Sequence, residues 1–141
     1  MKKGFTLVEI MIVIAIVALL AAIAIPHILQ ARVIANESAA QATLKTISTA
    51  LETYAAANSG LYAPANGMTN DSYLRIPTPP YLNKAYCAQT ESGYAYGCVI
   101  DKIDYSITAR PTNCTTSGTK SFTITAGGVL TTDTSCTPAG G

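Results

Sequence analysis

The stretch KGFTLVEIMIVIAIVALLAAIAIP, Lys3 to Pro26, decides the architecture. From Phe5 to Ile25 it offers 21 residues, of which only Thr6 and Glu9 are polar. As an α-helix this run reaches roughly 30 Å, the thickness of a bilayer's hydrocarbon core. A carboxylate at the centre of such a span costs roughly 2.5–3.5 kcal/mol, less toward the surface, so Glu9 requires a functional account. Met1-Lys2-Lys3 ahead of the apolar run puts the N-terminus in the cytoplasm and the chain beyond the span outside it. Cys87, Cys98, Cys114 and Cys136 all follow the span, an even count that suits an oxidising compartment.

A cleaved secretory leader shares the basic start, and Ala22-Ile23-Ala24 fits its small-residue cleavage pattern. The apolar run is longer than such leaders use, and Glu9 has no purpose in one. The helical pattern also continues past Pro26. Val33, Ala40, Leu44, Ile47, Leu51 and Tyr54 recur on one helix face, leaving Arg32, Glu37, Lys45 and Glu52 for the other side. No Gly or Pro interrupts residues 27–59, and Asn58-Ser59-Gly60 supplies a stop. Pro26 removes one backbone donor and predicts a kink without a full break. The helix is expected over residues 5–58, with 5–25 hydrophobic and 26–58 amphipathic. At roughly 80 Å it is too long for the interior of a small domain. Its first half must be covered by lipid or by other copies of the chain.

The composition excludes several classes. Nine basic against eight acidic side chains, with no basic run and no Trp, give no field that attracts nucleic acid. The single histidine, His27, reads as an ordinary helix residue near the membrane surface, and no catalytic triad can be assembled. Asp101 and Asp104 stand at a turn without a further acidic cluster, which reads as a solvated turn rather than a cation site. No metal, cofactor or enzymatic activity is expected.

Lys2-Lys3-Gly4-Phe5-Thr6-Leu7-Val8-Glu9, followed by an unbroken apolar helix to Ala21-Ala22-Ile23-Ala24-Ile25-Pro26, resembles the N-terminus of the type IV pilin family, which includes the pseudopilins of type II secretion. The resemblance is close over residues 2–27 and general to about residue 60. It implies removal of a leader, residues 1–4, by a membrane prepilin peptidase at the Gly4–Phe5 bond, and N-methylation of Phe5. It also implies that Glu9 pairs with the terminal ammonium of Phe5 on a neighbouring subunit during filament assembly. Burial offsets much of that pair's Coulomb energy; what it retains is register, because one axial stagger brings the two groups together. For the monomer, a Glu9 that snorkels to the headgroups is the alternative. Family members often carry a Gly in the middle of the span. Here Ala18 stands in that place, which makes local loosening of the helix less favourable by about 1 kcal/mol.

Beyond Gly60 the texture changes. Residues 61–92, with Pro64, Pro77, Pro79 and Pro80, read as turns and loop. Strands are predicted over 94–100, 103–109, 120–125 and 129–132, with Ala126-Gly127-Gly128 as a hairpin turn. The fold class is α+β: a long N-terminal helix packed in its second half against a small antiparallel sheet head over 59–141, as in pilins. Four cysteines allow three connectivities. Cys87–Cys98 and Cys114–Cys136 are favoured because each encloses one loop or hairpin, and the second falls where many pilins close a C-terminal loop. Half of residues 112–137 are Ser or Thr, which reads as polar surface, and the Asn36, Asn70 and Asn113 sequons carry little weight. The eight tyrosines read as packing and surface contact rather than as a conduction path.

The sequence therefore indicates a major pilin of a type IV pilus. Its partners are itself as a helical homopolymer, the prepilin peptidase and N-methyltransferase, the pilus assembly machinery, and the inner membrane before assembly. The head lies first in the periplasm and then on an extracellular filament used for adhesion, motility or DNA uptake. The alternatives are a pseudopilin of a type II secretion system and a signal-anchored extracytoplasmic binding module.

Overall fold

The computed structural model describes residues 4–64 and 70–139. Met1, Lys2 and Lys3 of the expected leader lie outside the described residues, as does part of the expected loop after the helix. Two compact units divide the chain near Arg32.

Helix α1 runs from Leu7 to Ala57 and continues through Pro26. Its start, two residues after Phe5, follows from a polar pair that brackets the first turn. Thr6 Oγ1 accepts the Glu9 backbone N–H at 3.2 Å, and the Glu9 carboxylate accepts the Thr6 backbone N–H at 2.7 Å. This reciprocal pairing is a capping box. At the other end, Asn58 Nδ2 donates to the Tyr54 carbonyl at 2.8 Å. The Gly60 N–H donates to the Ala55 carbonyl, with Ser59 and Gly60 both at positive φ.

The C-terminal unit is a five-stranded antiparallel sheet in the order β1-β2-β3-β4-β5, with the second half of α1 on one face. The strands are β1 Thr90–Glu91, β2 Tyr94–Ile100, β3 Tyr105–Pro111, β4 Ser121–Thr125 and β5 Val129–Asp133. Alternation fixes the faces. Tyr94, Tyr96 and Ile100, then Tyr105, Ile107 and Ala109, then Phe122 and Ile124 turn inward onto Ala40, Leu44, Ile47 and Leu51. Ala95, Gly97, Val99, Ser106, Thr108 and Thr123 between them form the outer face. The β4–β5 hairpin turns through Gly127 and Gly128 at φ +80° and +72°, values that residues with a Cβ rarely adopt.

Three expectations change in detail: Thr90–Glu91, within the segment read as turns and loop, forms the short edge strand β1. The segment before β1 holds a 3-10 helix, Asp71–Arg75, which the proline content hid. Asn70 caps it, and the buried Asp71 carboxylate accepts the Tyr86 N–H at 2.6 Å and the Cys87 N–H at 3.3 Å. Ile103, expected in a strand, is 80% exposed at the β2–β3 turn, because Asp101 N–H donates to the Asp104 carbonyl and closes the turn around it.

The structure contains two disulfides. Cys87 is bonded to Cys98, with Cα atoms 5.4 Å apart, and Cys114 to Cys136, with Cα atoms 5.7 Å apart. The second ties the segment after β5 to the β3–β4 connection, and the Ala139 N–H donates to the Pro111 carbonyl beside it.

Polar residues of α1 also join the head, against the expectation that Glu37 and Glu52 occupy a free side. Glu37 Oε1 accepts the Thr119 N–H at 2.9 Å and hydroxyl at 2.7 Å, and Asn36 Nδ2 donates to the Ser117 carbonyl at 3.0 Å. Glu52 accepts from the Tyr62 hydroxyl at 3.1 Å, the Tyr105 hydroxyl at 3.0 Å and the Gly127 N–H at 2.8 Å. One carboxylate thus holds the loop after the helix, β3 and the β4–β5 turn. Glu52→Gln replaces an acceptor oxygen with a donor amide and should cost about 1–2 kcal/mol, read as a lower thermal midpoint of the head. An unchanged midpoint would mean that these bonds exchange freely with water.

Burial also shifts the tyrosines. It pushes the Tyr94 hydroxyl up to about 12 and the Tyr105 hydroxyl up to about 12, the latter opposed by Ser48 and reinforced by Glu52. Both values lie above the ordinary 10, so folding favours the neutral phenols. Their contribution to stability is complete below pH 10 and is lost as pH rises toward 12. Burial also raises Tyr62, Tyr73 and Tyr96, so alkaline titration followed at the phenolate absorbance should show these five tyrosines ionising late, as the head unfolds.

Candidate assembly site

The N-terminal unit concentrates the features that set this chain apart from a soluble domain. From Leu7 onward α1 has a mean hydropathy of 3.0 over its most apolar 18 residues, none of them buried by the chain itself. Phe5 is 85% exposed and Leu7 74%, and the exposure continues through Ile10, Leu19 and Ile25. In water such a surface costs on the order of 25 cal/mol per Å², so lipid or neighbouring protein must cover it.

Glu9 is the sole ionisable side chain between Gly4 and Pro26. Its Oε2 accepts both the N–H and the hydroxyl of Thr6 at 2.7 Å. The Thr6 hydroxyl in turn accepts from the Glu9 N–H, so the two residues close a ring at the first turn. The carboxylate therefore has local partners in the isolated chain, and its negative charge sits at the positive end of the helix dipole. Phe5 is separated from Glu9 by little more than one helical turn of chain. The arrangement places one carboxylate, one small hydroxyl and the exposed Phe5 at a single helix end.

The sequence contained the signal for this ring, a Thr three residues before a Glu at the head of an apolar run, but Thr6 went unused in the reading of Glu9. Pro26 lies inside α1, and His27 beside it is exposed. Among the described residues, no group of three or more His, Cys, Asp or Glu side chains is arranged to hold a metal ion.

The prokaryotic N-terminal methylation motif matches residues 1–25. Over 53 residues, 38% of this chain and 24% of the relative, the sequence is 43% identical to the type IV major pilin protein PilA of Myxococcus xanthus. Over 42 residues, 30% of this chain and 32% of the relative, it is 57% identical to the type IV wide pilus major component PilA4 of Thermus thermophilus. The match thus covers less than a third of the length of either curated relative. No solved structure matches. The N-terminal part is thus similar to that of type IV pilins, and the long helix followed by a small antiparallel sheet is a pilin-like architecture.

Proposed function

We propose that this chain is the structural subunit of a type IV pilus. The observation that carries the proposal is the lone Glu9 at the head of an apolar helix that its own chain leaves uncovered. Prepilin peptidase cuts the Gly4–Phe5 bond, and the new amino group of Phe5 is methylated. The apolar half of α1 holds the subunit in the inner membrane, with the head outside the cytoplasm. On assembly about 20 apolar residues pass from lipid into a bundle of like helices. Glu9 then exchanges its Thr6 partners for the ammonium of a neighbour's Phe5, which sets the axial register, while Pro26 allows the helix to bend where it leaves the bundle.

The test is to shear cells gently and measure the intact mass of the main released protein. The expected chain begins at Phe5, carries one added methyl group, and has lost four hydrogens to two disulfides. A processed chain that stays with the envelope identifies a pseudopilin instead. A chain that begins near Ile25 refutes both readings and identifies a cleaved leader.

A further inference from the structure

The outer face of the sheet carries mostly small side chains that stand in three rows across the strands, with Ala139 of the C-terminal segment at its margin. In the middle row, Gly97, Thr108, Thr123 and Thr131 are paired side by side from β2 to β5. In the row toward the β2–β3 turn, Val99 and Val129 lie at opposite edges and are 64% and 56% exposed. In the third row, Arg110 of β3 pairs with Ala95 of β2, and Asp133 of β5 pairs with the buried Ser121 of β4. Among the described residues the ion pairs are Lys84–Glu91 and Lys120–Glu37, so neither Arg110 nor Asp133 is spent in one. Asp133 accepts the Ser135 N–H and hydroxyl at 2.8 and 2.6 Å, which holds its carboxyl below its ordinary range and keeps it charged.

We infer that this face docks against the same face of a second copy, about a two-fold axis that lies along the strands between β3 and β4. That operation exchanges β2 with β5 and β3 with β4 and leaves each row on itself. Val99 then meets the partner's Val129, Thr108 meets the partner's Thr123, and Arg110 comes beside the partner's Asp133. Charge and apolar surface are therefore complementary between identical faces, and each contact occurs twice.

Shape agrees with charge. Gly97 has no side chain and the Thr108 hydroxyl leans over it, 2.8 Å from where a Cβ would stand, which keeps the face low there. Gly97 also lines a hollow of about 370 Å³ bounded by Thr108, Arg110 and Ala139. The same rotation presents the exposed Thr131 of the partner to it. Aligned sheets pack about 10 Å apart with an angle near 30° between their strands, a spacing that small side chains can fill.

Four strands about 4.8 Å apart and three rows about 6.8 Å apart give on the order of 400 Å² per copy. A stable dimer uses about 800 Å² per partner. Single heads should therefore pair weakly, and the face becomes effective where many copies are held in an array. In a filament, a consequence that rests on the assembly reading above, this means lateral association of one filament with another.

Two measurements test the inference. The full chain carrying Arg110→Lys, half of it labelled with ¹⁵N, is treated in detergent micelles at millimolar concentration with a carbodiimide. The amine introduced at position 110 should condense with the Asp133 carboxylate of another copy, with loss of water, and give a mixed-isotope linked peptide. Adding Val99→Asp should lower that yield at least fivefold. A link found only within single chains, or none, overturns the inference. Sheared filaments viewed by electron microscopy should form bundles that Asp133→Arg disperses and that Arg110→Asp with Asp133→Arg restores. Bundling indifferent to the single reversal also overturns it. If cells make no filaments, the assembly reading fails separately, and the linked peptide alone decides the docking face.

Discussion

Glu9→Gln should retain the helix start and lose the filament. Glutamine can close the same ring with Thr6, because a capping box accepts Gln in place of Glu, so insertion and helicity should be unchanged. What it lacks is the charge that recognises an ammonium group. Once the apolar halves of two helices are in contact, an uncompensated ammonium in that dry environment costs several kcal/mol. The yield of sheared filaments should therefore fall at least tenfold, while the amount of processed chain in the membrane stays level. Thr6→Ala is the complementary change. It removes both hydroxyl contacts and frays the first turn by about 1 kcal/mol, but leaves the carboxylate in place, so assembly should persist at reduced yield. If Glu9→Gln assembles normally and Thr6→Ala does not, Glu9 serves as a helix cap, and the pairing account is wrong.

Phe122→Ala should unfold the head or bring it close to unfolding. Phe122 is 1% exposed, lies on β4 in the core shared with the helix face, and has its ring centre 6.0 Å from that of Tyr94. Removing a buried Phe costs about 3–5 kcal/mol, a large part of the total stability of a domain of this size. Thermal unfolding of the full chain in detergent should show a midpoint at least 10 degrees lower, since about 4–8 degrees correspond to each kcal/mol at this length. A drop of only a few degrees would mean that the disulfides and the Glu52 contacts hold the head without this ring.

Much of this is legible in the amino-acid sequence. The 3.6-residue repeat from Ala40 to Leu51 gave the packed face of α1, because an unbroken run without Gly or Pro lets period alone speak. Phe122 and Ile124, alternating with hydroxyl residues, gave β4 for the equivalent reason. What escaped were features made by polar groups that act at a distance in sequence. Nothing local distinguishes Glu52 from a solvated helix carboxylate; its donors, Tyr62, Tyr105 and Gly127, arrive from three separate segments. The helix at Asp71–Arg75 was masked by the prolines around it, and its anchor is a buried contact from Asp71 to Tyr86. In the candidate site the lone carboxylate was plain, yet its local partner was overlooked because Thr6 is a common residue in an uncommon place.

The two disulfides close loops entirely within residues 87–136, and neither reaches α1. The bond between helix and sheet is thus made of side-chain packing, the Glu37–Lys120 ion pair and a few hydrogen bonds from Asn36, Glu37, Ser48 and Glu52. Under a pull along the helix, those contacts bear the load in shear while the cross-linked loops bear almost none. The head is armoured against fraying, and the stem is the mechanical fuse.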